Sequence, residues 1–400
     1  MVGTMSSSSS SGSPKSAGPR VIVVGAGAVG LSCALFLAKG GAAVTLVEAQ
    51  GRGLRAPKRR KAASANAAGM LGAYSEALYE GSNTHRLFAR FCAAGHAAWE
   101  RLLLAHPLLE AGVRDTGSLL LAHSDADLAR VMRVRDRARQ AGAQFEWTDG
   151  LPDDLDPHLY SLRVVGALRL PEERLVDVGA MLELLTEHCI DAGVSLLVER
   201  EASHLAVRGG RARGVAFEDG SGLVADAVVL APGALAPPGL VEVSPALQRL
   251  TPAKGILGLV RPAPGGEIEE TVRTLSVYAA PLPSGEILFG STMEMGRVDF
   301  EPDEAGLQEL FAHLRRALPG ARFESPPRFH AAGVRPMSPD WAPMIGPSGP
   351  EGCFVACGHS RNGWLLGPLT GQILAAQVLA QPLEDLWTAF SPDRFEKKAA

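Results

Sequence analysis

Val21-Ile-Val-Val24 runs directly into Gly25-Ala-Gly27-Ala-Val-Gly30, and the residues up to Glu48 complete the unit that decides the fold. Four consecutive β-branched residues read as a strand buried on both faces of a parallel sheet. Leu31, Ala34, Leu35 and Ala38 then recur at helical spacing until Lys39-Gly40-Gly41, and Ala43-Val-Thr-Leu-Val47 reads as a second strand. In this strand–helix–strand setting Gly25 permits the tight turn, Gly27 admits close backbone approach to a pyrophosphate, and Gly30 lets helix and strand pack closely. N–H groups at the helix N-terminus favour phosphate. Glu48 lies 23 residues after Gly25, where its carboxylate can accept from ribose hydroxyls and repel a 2′-phosphate. The unit predicts dinucleotide binding without separating FAD from NAD.

Outward from this unit the spacing predicts helices over 83–109, 125–141 and 178–192, with a short strand at 118–122. Further strands are expected at 195–198, 214–218, 227–230 and 353–357, and a helical pattern follows Pro368 to about Leu379. Two sheet systems are implied. The expected organisation is a discontinuous dinucleotide-binding domain (20–82, 172–245 and 331–385) interleaved with a substrate domain (83–171 and 246–330). Residues 1–19 and 386–400 are read as tails, the first being serine-rich without the basic start and apolar stretch of a secretory signal. The basic segment 51–61 is read as a solvated loop, with an anionic substrate or membrane surface as the competing reading.

With 400 residues, 46% hydrophobic and 20% charged, the chain is long enough for two or three folding units and is neither disordered nor fibrous. Thirty-nine basic against 43 acidic side chains give a charge of −4, which offers no global attraction to nucleic acid or anionic lipid. The one apolar stretch approaching a membrane span is the glycine-interrupted unit above. Five scattered cysteines do not form a disulfide framework, so reduced thiols in a cytoplasmic protein are expected. Cys353 and Cys357 on one strand would lie ~13 Å apart, too far to share a metal. His359 is open to either an acid–base or a structural role.

Segments Ser64-Ala-Asn-Ala-Ala-Gly-Met-Leu-Gly-Ala-Tyr-Ser-Glu76, Gly333-Val-Arg-Pro-Met-Ser-Pro-Asp340 and Gly358-His-Ser-Arg-Asn-Gly-Trp-Leu-Leu-Gly-Pro368 follow the glycine motif in order. Together these segments resemble those of the glycine oxidases, in the D-amino-acid oxidase superfamily of FAD proteins. The resemblance spans roughly residues 20–385. It implies non-covalent FAD held by Gly25, Gly27, Ala28, Val29, Gly30, Glu48, Ala49, Ser64, Ala68, Gly69, Met70, Gly233, His359, Arg361, Asn362, Gly363, Trp364 and Leu365. It also implies that Arg335 binds a substrate carboxylate, that Tyr278 supports it, and that Arg361 lies near the substrate amine. An arginine fork suits a carboxylate through two parallel hydrogen bonds.

The implied activity is oxidative deamination of glycine or another small amine or D-amino acid, with molecular oxygen as acceptor, and a homo-oligomeric assembly. Ser360 stands where an aromatic residue is common, and the segment before Tyr278 is shorter, so the resemblance implies a wider entrance than glycine needs, with Trp341 and Trp364 as residues that can fill it. The competing readings are a D-amino-acid dehydrogenase using a quinone or protein acceptor, a sarcosine-type N-methylamino-acid oxidase, and a flavin-binding partner without turnover. No cysteine stands between Arg335 and Cys353, which favours non-covalent FAD over the covalent attachment of the sarcosine type.

Overall fold

The structure is a computed structural model that describes residues 18–51, 61–79, 81, 84–160 and 163–396. The tail at 1–17 and most of the basic segment lie outside these residues. The predicted first unit forms as Arg20–Val24, Ala28–Lys39 and Ala43–Glu48. It is the centre of a six-stranded sheet ordered Met344–Pro347, Cys353–Cys357, Ala227–Leu230, Arg20–Val24, Ala43–Glu48 and Ser195–Val198, parallel except for the first strand. Val21 to Val24 are buried, as a strand covered on both faces requires. Helices Ala28–Lys39, Val178–Asp191 and Gly363–Val378 bury one face, and a three-stranded sheet from 202 to 224 covers the other.

Gly25 has φ +100°, and a Cβ there would meet the Ala231 carbonyl oxygen at 2.3 Å. A Cβ on Gly30 would meet the Gly25 oxygen at 1.8 Å, so helix and strand touch backbone to backbone.

The second sheet is nine-stranded and mostly antiparallel, built from strands between 118 and 170 and between 251 and 337. Its long strands Thr251–Val260 and Arg328–Met337 pair along their length. The latter strand runs across the boundary expected at 331. This is the mixed α/β architecture that the sequence implies.

Three local expectations are corrected. The strand expected at 214–218 spans Arg211–Phe217 and is the second arm of a hairpin with Ala202–Arg208, which turns at Gly209-Gly210, both at positive φ; the first arm is hidden in sequence by exposed polar residues. Residues 386–396, expected as a tail, are folded: Phe390 is fully buried, and Arg394 donates to both Asp340 oxygens at 2.9 Å. The last helix begins at Gly363, not after Pro368. Proline removes the N–H that would bond the carbonyl four residues back and crowds it. That carbonyl, of Trp364, instead accepts from the Trp99 indole Nε1–H at 2.8 Å.

Candidate active site

A cavity of about 480 Å³ runs from the glycine turn to the antiparallel sheet. At one end it is walled by Gly25, Gly27, Val29, Gly30, Glu48 and Ala49, and Gly233 closes it from the Ala227–Leu230 strand. Glu48 Oε2 accepts from Ala26 N at 2.7 Å and Oε1 from Gln50 N at 2.9 Å. Each carboxylate oxygen has two lone pairs, so each retains one for a ligand hydroxyl. Ser64, Ala68, Gly69 and Met70 form the middle wall, opposed by His359, Arg361, Asn362, Gly363 and Trp364.

Two expected residues stand elsewhere. Ala28 and Leu365 are buried behind the wall; the Ala28 N–H donates to Ser64 Oγ at 3.0 Å, and Leu365 packs in the core. Trp364 is buried, and its indole N–H donates to the Ser64 carbonyl at 3.1 Å, so it braces the wall and does not narrow an entrance.

Arg335, Tyr278 and Arg361 meet at the far end. Arg335 comes from the strand Arg328–Met337, and its guanidinium lies across Gly255, where a Cβ would approach Nη1 to 2.2 Å. Nη1 donates to the Thr292 carbonyl at 3.1 Å and Nη2 to Ser291 Oγ at 2.7 Å. An arginine has five N–H donors, so three remain for a ligand. Burial lowers the Arg335 pKa from its usual high value, and neighbouring Tyr278 partly offsets this; arginine stays charged all the same. Burial pushes the Tyr278 phenol up to about 12, so it remains a neutral donor.

Arg361 Nη2 donates to Glu76 Oε2 at 2.8 Å, and its guanidinium carbon stands 4.3 Å from the Tyr79 ring centroid and 5.7 Å from that of Trp341. Three residues here were not identified from sequence: Glu76, Tyr79 and Arg273. Arg273 is 2% exposed, and its Nη1 is 3.9 Å from Glu76 Oε1. The available signal was the short hairpin around Thr274–Val277, which makes Arg273 the cross-strand partner of Tyr278.

His359 is fully buried, and its Nε2 pairs with Thr370 Oγ1 at 2.9 Å. Burial holds its pKa down to about 3, so it is a neutral structural histidine and not an acid or base near pH 7. All five cysteines are free and buried. Among the described residues no cluster of His, Cys, Asp and Glu has the makings of a metal site, and no helix is long and apolar enough to cross a membrane.

This arrangement fits an elongated dinucleotide: phosphate-binding backbone and a ribose acceptor at one end, small residues along the middle, and cationic side chains where a small acid would sit. The chain is 30% identical over 393 residues to a glycine oxidase of Bacillus licheniformis, covering 94% of this chain and 97% of that protein. The crystal structure of glycine oxidase from Geobacillus kaustophilus superposes with a TM-score of 0.78 at 27% identity, covering 93% of this chain and 98% of that one. L-proline dehydrogenase from P. horikoshii shares the fold with a TM-score of 0.77 at 19% identity, covering 95% of this chain and 98% of that one. Residues 20–377 match the model of the DAO family, described as FAD dependent oxidoreductase, and the chain belongs to that family.

Proposed function

We propose that the protein oxidises a small amino acid or amine at the carbon bearing nitrogen, giving an imino acid that water converts to the 2-oxo acid and ammonia. The observation that carries this reading is the convergence of Arg335, Tyr278 and Arg361 at one end of a cavity whose other end is the glycine turn and Glu48. Residues 20–82, 172–245 and 331–385 would then carry most of the cofactor wall, and 83–171 and 246–330 most of the substrate wall.

Bound FAD supplies a two-electron acceptor for the substrate α-hydrogen and its bonding pair, and its reoxidation by molecular oxygen gives hydrogen peroxide. The protein's task is positioning. The glycine turn with Val29, Gly30, Glu48 and Ala49 holds the dinucleotide end, and Ala68, Gly69 and Met70 with His359 to Trp364 hold the ring end. Arg335 binds the substrate carboxylate through two of its remaining donors, and the neutral Tyr278 hydroxyl adds a third. Arg361, tethered by Glu76, borders the amine side. Its positive charge disfavours an ammonium there, which helps keep the amine in the neutral form required for transfer. No protein base is needed for that step.

The FAD is non-covalent in this reading. Cys357 lines the cavity, but burial pushes its thiol up to about 12, which leaves it protonated and a poor nucleophile. The protein is read as cytoplasmic, from its scattered free cysteines, and as a homo-oligomer, as the resemblance implies.

The test is an anaerobic flavin spectrum with glycine, sarcosine, D-alanine and D-proline added separately, followed by air. Bleaching and then rapid reoxidation with peroxide is expected. Bleaching without rapid reoxidation would assign a dehydrogenase with another acceptor, and no bleaching by any amine would overturn amine oxidation.

A further inference from the structure

The ring end of the cavity holds more positive charge than a simple amino acid neutralises. Arg335, Arg361 and Arg273 gather there with one carboxylate among the described residues, that of Glu76. Glu76 is already hydrogen-bonded to Arg361 at 2.8 Å, and the substrate α-carboxylate would occupy Arg335. Arg273 lacks a hydrogen-bonded carboxylate: its guanidinium hydrogen-bonds the neutral Tyr79 hydroxyl, its Nη1 stands 3.9 Å from Glu76, beyond direct hydrogen-bond reach, and its Nε–H is buried without a partner. A buried guanidinium is costly to desolvate unless an anion meets it, so an incompletely paired one on a cavity wall marks a place for an anion.

Its position relative to the carboxylate site is fixed by sheet register. Arg273 and Tyr278 are direct partners on adjacent antiparallel strands, so their side chains stand on one face, with Cβ atoms ~5 Å apart. Tyr278 in turn hydrogen-bonds Ser291, the residue that accepts from Arg335. The order across the face is Arg335, Ser291, Tyr278, Arg273. Two cationic groups therefore flank one tyrosine.

Resting on the amine-oxidation reading, we propose that the preferred substrates carry a second carboxylate: acidic D-amino acids or N-carboxymethyl amino acids whose distal carboxylate is received by Arg273. The α-carboxylate occupies Arg335 and Tyr278, and the distal one pairs with the open edge of Arg273. Arg273 is thereby a specificity-determining residue, while the reacting carbon is held by the same groups in every substrate.

The test uses the FAD-loaded full-length protein and matched pairs that differ by one carboxylate replacing one hydrogen: D-alanine with D-aspartate, and sarcosine with iminodiacetate. In at least one pair the dicarboxylate is expected to show a kcat/KM at least tenfold higher, and Arg273→Gln is expected to cut that ratio by tenfold or more. Because Arg273 is buried and its variant can fail to fold, a second measurement is made on the unaltered protein. Succinate should perturb the flavin spectrum with a Kd at least tenfold below that of propionate. Equal kcat/KM within both pairs, or equal Kd for succinate and propionate, would overturn the proposal while leaving amine oxidation intact. Absence of bleaching by all four amines would overturn the underlying reading instead, and the succinate titration would still decide whether a dicarboxylate site exists.

Discussion

Gly255→Ala tests the carboxylate site without touching a charge. The Gly255 Cα faces the Arg335 guanidinium, and an added methyl would lie 2.2 Å from Nη1, 2.3 Å from Nη2 and 2.5 Å from the central carbon. Ordinary contact begins at 3.4 Å, so the fork must retreat by about 1.2 Å. The retreat is feasible because the obstacle is the end of a flexible side chain. The backbone also tolerates the change: Gly255 sits inside the strand Thr251–Val260, and it is not among the positive-φ glycines. Folding and FAD content should therefore survive. A displacement of about 1 Å at a substrate clamp costs on the order of 100-fold in rate, equivalent to about 2.7 kcal/mol. That is within the ~1.5–3 kcal/mol assigned to one hydrogen bond to a charged group. The assay is peroxide release as a function of amine concentration, with FAD absorbance as the folding control. A kcat/KM within threefold of the parent protein at full FAD content would refute the placement of the carboxylate on Arg335.

Arg335→Ala should retain the yellow FAD spectrum and lose most substrate-dependent bleaching; normal bleaching would end the carboxylate role. Trp99→Phe strips the Trp364 carbonyl of its indole donor and opens a small void, so the urea midpoint should fall by the equivalent of about 2–4 kcal/mol, a loss that Pro368→Ala should partly repair by restoring a helical N–H. The His359 pKa is about 3 when folded against 6.5 when unfolded, so the unfolded chain alone gains a proton as pH falls through that window. Stability should drop by up to about 1.4 kcal/mol per pH unit below 6.5, and urea midpoints at pH 7 and 5.5 should show a shallower loss for His359→Asn; an equally steep loss in both proteins would remove His359 as the cause.

The legibility of this chain divides along a physical line. The first strand–helix–strand unit can be read because each of its residues answers to a local constraint: four β-branched residues for a strand buried on both faces, Gly25 for φ +100°, and Gly30 for backbone contact at the crossing. The hairpin at 202–217 cannot be read as easily, since His204, Arg208, Arg211 and Arg213 interrupt the apolar pattern and only Gly209-Gly210 marks the turn. The site divides in the same way. Arg335 and Arg361 are carried by contiguous motifs, whereas Glu76 and Arg273 are brought together by a sheet register and a loop nearly 200 residues apart in sequence. No local pattern encodes that meeting. Thr274 supplies its clearest trace, because its Oγ1 accepts from Val277 N at 3.2 Å and closes the turn that sets Arg273 opposite Tyr278.

The last helix shows how one distant side chain can override a sound local rule and thereby build the site. Reading proline as a helix start places the N-terminus at Pro368, five residues beyond its actual start at Gly363. At 1.5 Å per residue, that difference is ~7.5 Å of helix. A helix beginning at Pro368 would leave its N-terminal donors well short of the cavity. Beginning at Gly363, it sets its first turn into the wall, with Gly363 and Trp364 lining the cavity beside Asn362. With FAD bound as proposed, the positive end of the helix would face the ring end, where the cofactor gains negative charge on reduction. What permits the early start is the Trp99 indole, which takes over the Trp364 carbonyl that Pro368 cannot serve. A tryptophan on a helix 265 residues away in sequence therefore braces the first turn of the helix that lines the cavity, as well as packing in the core.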